Sequence, residues 1–309
     1  MTERSLTIGT HQLQLPCFFP SVSSVKTNIS PQEYIDHLEH LGYPCYLISA
    51  YDVLKSKKRN KQSVSVSLPK KMDRDSIVFL DSGNYEAYWF DDHDWPYESY
   101  QSAANSIDAD LYLSYDNCWQ KEDKDYQIPK QIGDKEAFIP IIHGSPTTIP
   151  ELAVEIAMKE RWQMIAIPER ELGDSISSRI NTIQNIRKSL RINGIEIPIH
   201  LLGTGHPISI LLYSAFGADS FDGLEWCQTI VNPKNGQLFH FTQKDFIDCR
   251  CDACTSGMTS YLTTILFHNL LFYIDWMVMI QKALQQGTIK DMMKKYIPEP
   301  FYKSIEGNV

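Results

Sequence analysis

The chain has 309 residues, 43% hydrophobic and 22% charged, the composition of an ordinary globular protein with enough length for one large barrel or two modest domains. Its net charge of −9 repels polyanions overall, so a nucleic-acid enzyme of this sequence needs a local basic patch. No charged-then-apolar signal pattern opens the chain and no apolar run of bilayer-spanning length is expected, which argues for a cytoplasmic protein with no membrane partner.

Short apolar runs alternate with longer polar or amphipathic segments. Leu13 to Phe19 is the first run. Ser30-Pro31-Gln32-Glu33 then reads as an N-cap, a proline at the first helical position and a capping-box glutamate, opening a helix through Tyr34, Leu38 and Leu41 that Gly42 ends. Cys45 to Ser49 is the next run, and after it comes a basic stretch: Lys55, Lys57, Lys58, Arg59 and Lys61, with Lys70, Lys71 and Arg74. That stretch is either a solvated loop or the phosphate-contacting patch. Further runs are Ile77 to Leu80, Leu111 to Ser114, Phe138 to Ile142, Met164 to Ile167, Ile199 to Leu202 and the short Ser220-Phe221. Helical patterns lie near Ile149 to Trp162 and Ser175 to Ile192. Continuous apolar runs separated by helices mark buried parallel strands, and eight of them predict an α/β fold, a closed (β/α)8 TIM barrel. The barrel is assigned to residues 1–240, and residues 241–309 to a zinc-binding segment and C-terminal helices packed on it. The most membrane-like stretch, Tyr261 to Ile280, is interrupted by His268, Asn269 and Asp275 and reads as a buried helix.

The residues at the ends of these runs carry the chemistry. Asp81-Ser82-Gly83, Asp116, His143-Gly144, Pro168-Glu169, Gly203-Thr204-Gly205 and Asp222-Gly223 each come at or just after the close of an apolar run. In a (β/α)8 barrel such positions ring the C-terminal mouth and converge on one pocket. Turns favour Asp and Gly in any case, so the pattern alone also suits ordinary strand ends.

Seven cysteines in a chain of this kind point to metal binding or reduced thiols and away from a disulfide framework. Cys249-x-Cys251-x2-Cys254, with His268 after thirteen intervening residues, supplies three thiolates and an imidazole, a closed zinc set that leaves no position for water. The zinc is therefore structural, worth on the order of 10 kcal/mol of folding free energy in small modules. Cys17, Cys45, Cys118 and Cys227 lack such spacing and read as buried thiols.

In this order the pieces resemble the tRNA-guanine transglycosylase superfamily over nearly the whole chain. Leu15-Pro16-Cys17-Phe18-Phe19-Pro20 looks like its opening strand, with Val25-Lys26 after it. Asp81-Ser82-Gly83-Asn84-Tyr85-Glu86 is similar to its Asp-Ser-Gly-Gly-Phe-Gln motif, and Ser114-Tyr115-Asp116-Asn117-Cys118 to its Phe-Asp-Glu-Cys. His143-Gly144-Ser145 stands where the family has Gln-Gly-Gly, and Gly203-Thr204-Gly205-His206-Pro207 resembles Gly-Val-Gly-Lys-Pro. Gly217-Ala218-Asp219-Ser220-Phe221-Asp222 matches Gly-x-Asp-x-Phe-Asp, and His268-Asn269 resembles the zinc histidine and the asparagine after it. Three segments depart from the pattern: residues 143–145, Pro168 to Asp174, and Gly223-Leu224-Glu225-Trp226-Cys227 after the second aspartate. These departures, and a short chain without an added RNA-binding domain, look like the DNA-modifying branch, the DpdA-type transglycosylases that insert 7-cyano-7-deazaguanine into DNA.

The resemblance implies a pentosyltransferase that exchanges guanine in a polynucleotide, DNA in preference to tRNA, for a 7-deazaguanine base. Asp222 would be the nucleophile at C1′ and Asp81 the group that manages protons. Asp116 would read the guanine N1 and N2 hydrogens, and His143 would donate to O6. Ser82 and the Gly83, Gly144 and Gly203 backbone would support the base, with Tyr85 stacked on it. Trp89 and Trp226 would help at the mouth. A helper protein and a homodimer are both compatible with this reading, and a silent partner subunit is disfavoured because both aspartates are present.

Overall fold

The computed structural model describes residues 4–55, 58–59, 62–63, 66–68, 70–116, 137–258 and 260–308. Cys118, Asn117, Lys57 and Lys61 lie outside these residues.

Eight parallel strands form the centre: Cys17–Val22, Cys45–Ser49, Ile77–Asp81, Leu111–Leu113, Phe138–Ile139, Ile165–Pro168, Ile199–Leu202 and Ser220–Gly223. Hydrogen bonding runs from the sixth through the seventh, eighth, first, second, third and fourth to the fifth. A parallel bridge from Ile141 to Ala166 returns the fifth to the sixth, so the sheet closes into the expected (β/α)8 barrel. The strands are buried on both faces, as parallel strands covered by helices must be.

Two runs differ from expectation for a backbone reason. Leu13 to Phe19 divides: His11–Gln14 pairs antiparallel with Ser5–Ile8, and the barrel strand starts only at Cys17. Pro16 stands at the break and has no N–H to offer a ladder. Phe138 to Ile142 is likewise interrupted at Pro140, whose carbonyl accepts from Ala166 N–H at 2.9 Å while its nitrogen donates nothing.

The first helix spans Pro31–Leu41 with the full capping box on Ser30 and Glu33, and Gly42 closes it at φ 66°. Ile149–Lys159 and Ile176–Ile192 are helical, the latter capped by Ser175. The helix Tyr261–Gln285 is, by length and composition, long and apolar enough to cross a membrane, contrary to the expectation that no such run exists. It is nevertheless a packed helix, with 67% of its apolar window buried. Tyr273 stacks on Phe18 at 4.4 Å between centroids, its hydroxyl donates to Gly205 O at 2.6 Å, and Trp276 Nε1 donates to Pro207 O at 3.0 Å. Buried aromatics of this size each contribute about 1.5–3 kcal/mol. They also fix the loops that come after the seventh strand.

Of the basic stretch, Lys57 and Lys61 lie outside the described residues, and three of the others are placed by ion pairs. Lys71 and Arg74 precede the third strand, at the N-terminal end of the barrel, and both bind Asp110, at 3.1 and 2.7 Å. Arg74 is buried and also donates to the Ser76 and Asp108 carbonyls, so it neutralises a buried carboxylate and meets no phosphate. Lys55, on the mouth side, pairs with Asp92 at 2.7 Å.

Candidate active site

A cavity of about 700 Å³ opens at the C-terminal mouth, lined by Asp81, Ser82, Tyr85, Asp116, Pro168, Gly203, Asp222 and Gly223 among others. The strand-end residues thus converge, as their register requires: Asp81 stands opposite Ser49 and Asp222 opposite Phe19 across adjacent ladders.

Asp222 is buried with a donor on each oxygen. Ser21 O–H donates to Oδ2 at 2.8 Å and Gly203 N–H donates to Oδ1 at 2.9 Å. Gly203 adopts φ 77°, the left-handed conformation that turns this amide inward. His200 Nε2 stands 3.3 Å from Oδ1, and its Nδ1 lies 2.8 Å from Ser220 Oγ. Donors on both oxygens suit a carboxylate anion held in one orientation.

Asp81 is the opposite case. Burial pushes its carboxyl up to about 7; the charges of Asp222 and Asp116 add to this, while the Gly83 and Ser82 amides oppose it. Gly83 N–H donates to Asp81 Oδ2 at 2.9 Å. Gly83 sits at φ 83° with Tyr51 N 2.5 Å from where a Cβ would fall, so no side chain fits there.

Asp116 faces a histidine clamp. His143 Nε2 lies 3.2 Å from Asp116 Oδ1, and His143 Nδ1 lies 2.8 Å from Glu171 Oε1. Burial pulls this imidazole down, but hydrogen bonds to Asp116 and Glu171 and their charges outweigh it and raise it to about 10. At neutral pH His143 is therefore an imidazolium between two carboxylates, Nδ1 hydrogen-bonded to Glu171 and Nε2 within ion-pair distance of Asp116. Gly144 N–H donates to Glu171 Oε2 at 2.9 Å. His143 and Gly144 therefore stand behind Asp116, outside the cavity lining, and Glu171 ties them together. Ser82 is buried beside Asp81, and its hydroxyl accepts from Asn84 Nδ2 at 3.2 Å. Tyr85 is 43% exposed at the rim. Trp89 is also at the rim, whereas Trp226, expected near the mouth, is fully buried and donates from Nε1 to Ser21 O at 2.9 Å. It is a core residue that supports the first strand.

Two further carboxylates, which the sequence pattern does not single out, line the cavity. Glu86 accepts from the hydroxyls of Ser23 and, at 2.6 Å, Ser49; burial first, then the charges of Asp52 and Asp81, drives it well above the usual carboxylate range. Glu225 is pushed up to about 7 by burial, with the Asp222 charge adding to it. Its Oε2 occupies the space that a Cβ on either Gly205 or Gly223 would need, so the two glycines make its seat. A glycine two residues before the carboxylate is the one sequence signal for it. Glu86 occupies a helical position that reads as surface.

Cys249, Cys251, Cys254 and His268 bring their ligand atoms within 4.8 Å of one another. His268 Nδ1 lies 3.5 Å from both Cys251 Sγ and Cys254 Sγ, while Nε2 lies 2.8 Å from Val231 O. A carbonyl only accepts, so Nε2 carries the hydrogen and the Nδ1 lone pair faces the thiols. Burial lowers the His268 pKa, keeping the ring neutral as a ligand must be. These four residues are arranged so that they could hold a metal ion. Next to them Asn269 donates to Trp226 O and Thr229 O at 2.8 and 2.7 Å and accepts from Val231 N–H at 3.0 Å, tying the metal segment to the chain just past Asp222. Cys17, Cys45 and Cys227 are buried thiols.

The family model for queuine tRNA-ribosyltransferase matches residues 115–300, more than half of the chain. The chain belongs to that family. Among curated relatives it is similar to the tRNA-guanine(15) transglycosylases of Haloferax volcanii (19% identical, covering 92% of this chain and 60% of that one) and Thermococcus onnurineus (20%, covering 92% and 53%). The corresponding enzyme of Nanoarchaeum equitans is 22% identical, covering 95% of this chain and 77% of its own. The chain thus spans little more than half the length of the first two. The family match runs from the Asp116 strand end through Asp222 and the Cys3His group, and so includes both that buried carboxylate and the four candidate ligands.

Proposed function

We propose that this protein exchanges a guanine base in a polynucleotide for a 7-deazaguanine, through a covalent bond between Asp222 and the sugar. The observation that carries this reading is the contrast between two carboxyls in one cavity: Asp222 held by a donor on each oxygen, and Asp81 pushed up to about 7 by burial. Exchange with retained configuration takes two displacements, as in retaining glycosidases. An Asp222 oxygen attacks C1′, the C1′–N9 bond breaks, and its electron pair leaves with guanine as Asp81 supplies a proton. The incoming base then gives its N9 proton to the Asp81 carboxylate, N9 attacks C1′, and the bond to Asp222 breaks. Asp116, held by the His143 imidazolium, accepts from the N1 and N2 hydrogens that distinguish guanine from adenine. His143 itself acts through Asp116, whose Oδ1 its Nε2 faces at 3.2 Å.

The relatives are named for exchange on tRNA, which makes tRNA the favoured polynucleotide. DNA with 7-cyano-7-deazaguanine is the second reading, favoured by the departures in residues 143–145 and 168–174, which Glu171 couples in this fold. Zinc is the ion we assign to the Cys3His group, because three thiolates and an imidazole at tetrahedral reach suit it; it supplies a fixed loop and no chemistry to the reaction. We place the barrel in residues 1–240 and the metal segment in 241–309, and the reduced thiols accord with a cytoplasmic protein.

Incubating the protein with radiolabelled guanine in tRNA and in DNA, with 7-cyano-7-deazaguanine, tests this. Release from tRNA, lost in Asp222→Ala, supports the favoured reading; release from DNA alone selects the second. No release from either, with metal bound and the fold intact, would refute base exchange.

A further inference from the structure

One helix at the mouth carries more exposed aromatic surface than folding explains. On Asn84–Trp89 the side chains of Tyr85, Tyr88 and Trp89 are 43%, 55% and 46% exposed, and all three line the cavity. Tyr85 and Trp89 are four residues apart and meet edge to face, at 6.3 Å between centroids, and Tyr88 and Trp89 meet likewise at 5.8 Å. Lys26 places Nζ 3.5 Å from the Trp89 ring centroid, and its backbone sits at φ 52°, a left-handed conformation that a lysine rarely adopts. Strain held in place at a site mouth is characteristic of binding surfaces. Arg170, its side chain 71% exposed, lines the same cavity from the loop after the sixth strand.

We propose that Tyr88 and Trp89 form a stacking platform for an unpaired nucleotide next to the exchanged guanosine, with Lys26 and Arg170 meeting its phosphates. The inference rests on the base-exchange reading for the guanosine's place in the cavity. An acidic protein cannot gather a polynucleotide by its global field, whereas aromatic faces accept any base and two cations at the rim supply local attraction. Tyr85, nearer the catalytic carboxyls in sequence, is left for the exchanged base. The platform implies that the substrate meets the protein with its target region single-stranded or splayed.

Binding of a stem-loop RNA and of single-stranded DNA, each with the target guanine flanked by natural nucleotides or by abasic sites, is measured by fluorescence anisotropy for wild type, Tyr88→Ala, Trp89→Ala and Trp89→Phe. Loss of one stack weakens binding of the natural oligonucleotide about tenfold. The same alanine variants change affinity for the abasic oligonucleotide less than about twofold, and Trp89→Phe restores most of the loss. Equal losses on natural and abasic oligonucleotides, or no loss on either, overturn the platform, as does failure of the wild type to bind both nucleic acids. If the platform variants lose binding in this pattern while no guanine is released, base exchange fails and the platform stands. If guanine is released and the variants bind like wild type, the platform alone fails.

Discussion

Raising the pH through the titration range of Asp81 should shut down base release. With its carboxyl at about 7, half of the molecules hold the proton at neutrality, about a tenth at pH 8 and about a hundredth at pH 9. Single-turnover release of labelled guanine should therefore fall about tenfold per pH unit above 7. Asp116→Asn, which removes one of the charges acting on Asp81, should move the midpoint down while leaving it above the ordinary carboxylate range, because burial is the larger cause. Glu225 titrates in the same range, so the alkaline limb must persist in Glu225→Gln. The same shift acts on stability. A carboxyl whose folded pKa is raised binds a proton more tightly folded than unfolded, so stability is lost as pH climbs from about 4 to about 7. Asp81→Asn removes that loss and should stabilise the protein at pH 8 by about 2–4 kcal/mol, with the gain vanishing near pH 4, measured by urea unfolding. Release that stays flat or rises from pH 6 to 9 would refute the assignment of Asp81 as the proton donor.

Ser21→Ala removes the hydroxyl on Asp222 Oδ2 and should slow formation of the sugar–enzyme bond about tenfold or more, the usual worth of a hydrogen bond to a charged group; an unchanged single-turnover rate would contradict it. Removing the metal with a chelator, or Cys251→Ser, should lower Tm, release about one equivalent of zinc by elemental analysis, and speed proteolysis near residues 226–231, which His268 and Asn269 anchor. His143→Asn leaves Asp116 and Glu171 without the cation between them and should raise KM for the guanine-bearing polynucleotide about tenfold with a smaller change in kcat; a kcat effect alone would give His143 a different role.

The barrel is legible because buried parallel strands write themselves as apolar runs, and even Ser220-Phe221, too short to stand alone, extends to Ser220–Gly223 once its neighbours supply a ladder. Prolines at 16 and 140 cut two runs in ways that hydrophobicity does not register. The cysteine spacing locates the metal group, because ligand geometry is nearly local in sequence. Glu86, Glu225, His200 and Glu171 are not legible as site residues. Each has a sequence neighbourhood typical of a helix face, a turn or a strand interior, and each acquires its partner from at least 20 residues away: Ser49, Gly205, Ser220 and His143 respectively. Arg74 misleads in the other direction, its charge suggesting a surface role that the buried Asp110 claims.

A polyanion entering a carboxylate-lined cavity poses an electrostatic conflict, which protonation relieves. Asp81, Glu86, Asp116, Asp222 and Glu225 all line one space, and five full charges there would repel a phosphodiester strongly at low local dielectric. Burial raises three of them, Asp81, Glu86 and Glu225, so that near neutrality the cavity carries fewer charges than its composition suggests. The His143 imidazolium offsets part of the charge on Asp116 and Glu171 from behind. Of the five, Asp222 is the one with a hydroxyl and an amide donating to its two oxygens, the fixed orientation the proposed nucleophile requires. The protons that reduce repulsion are also hydrogen-bond donors within the cavity, so under the proposed base exchange the burial that makes room for a base would also supply the acid its departure needs.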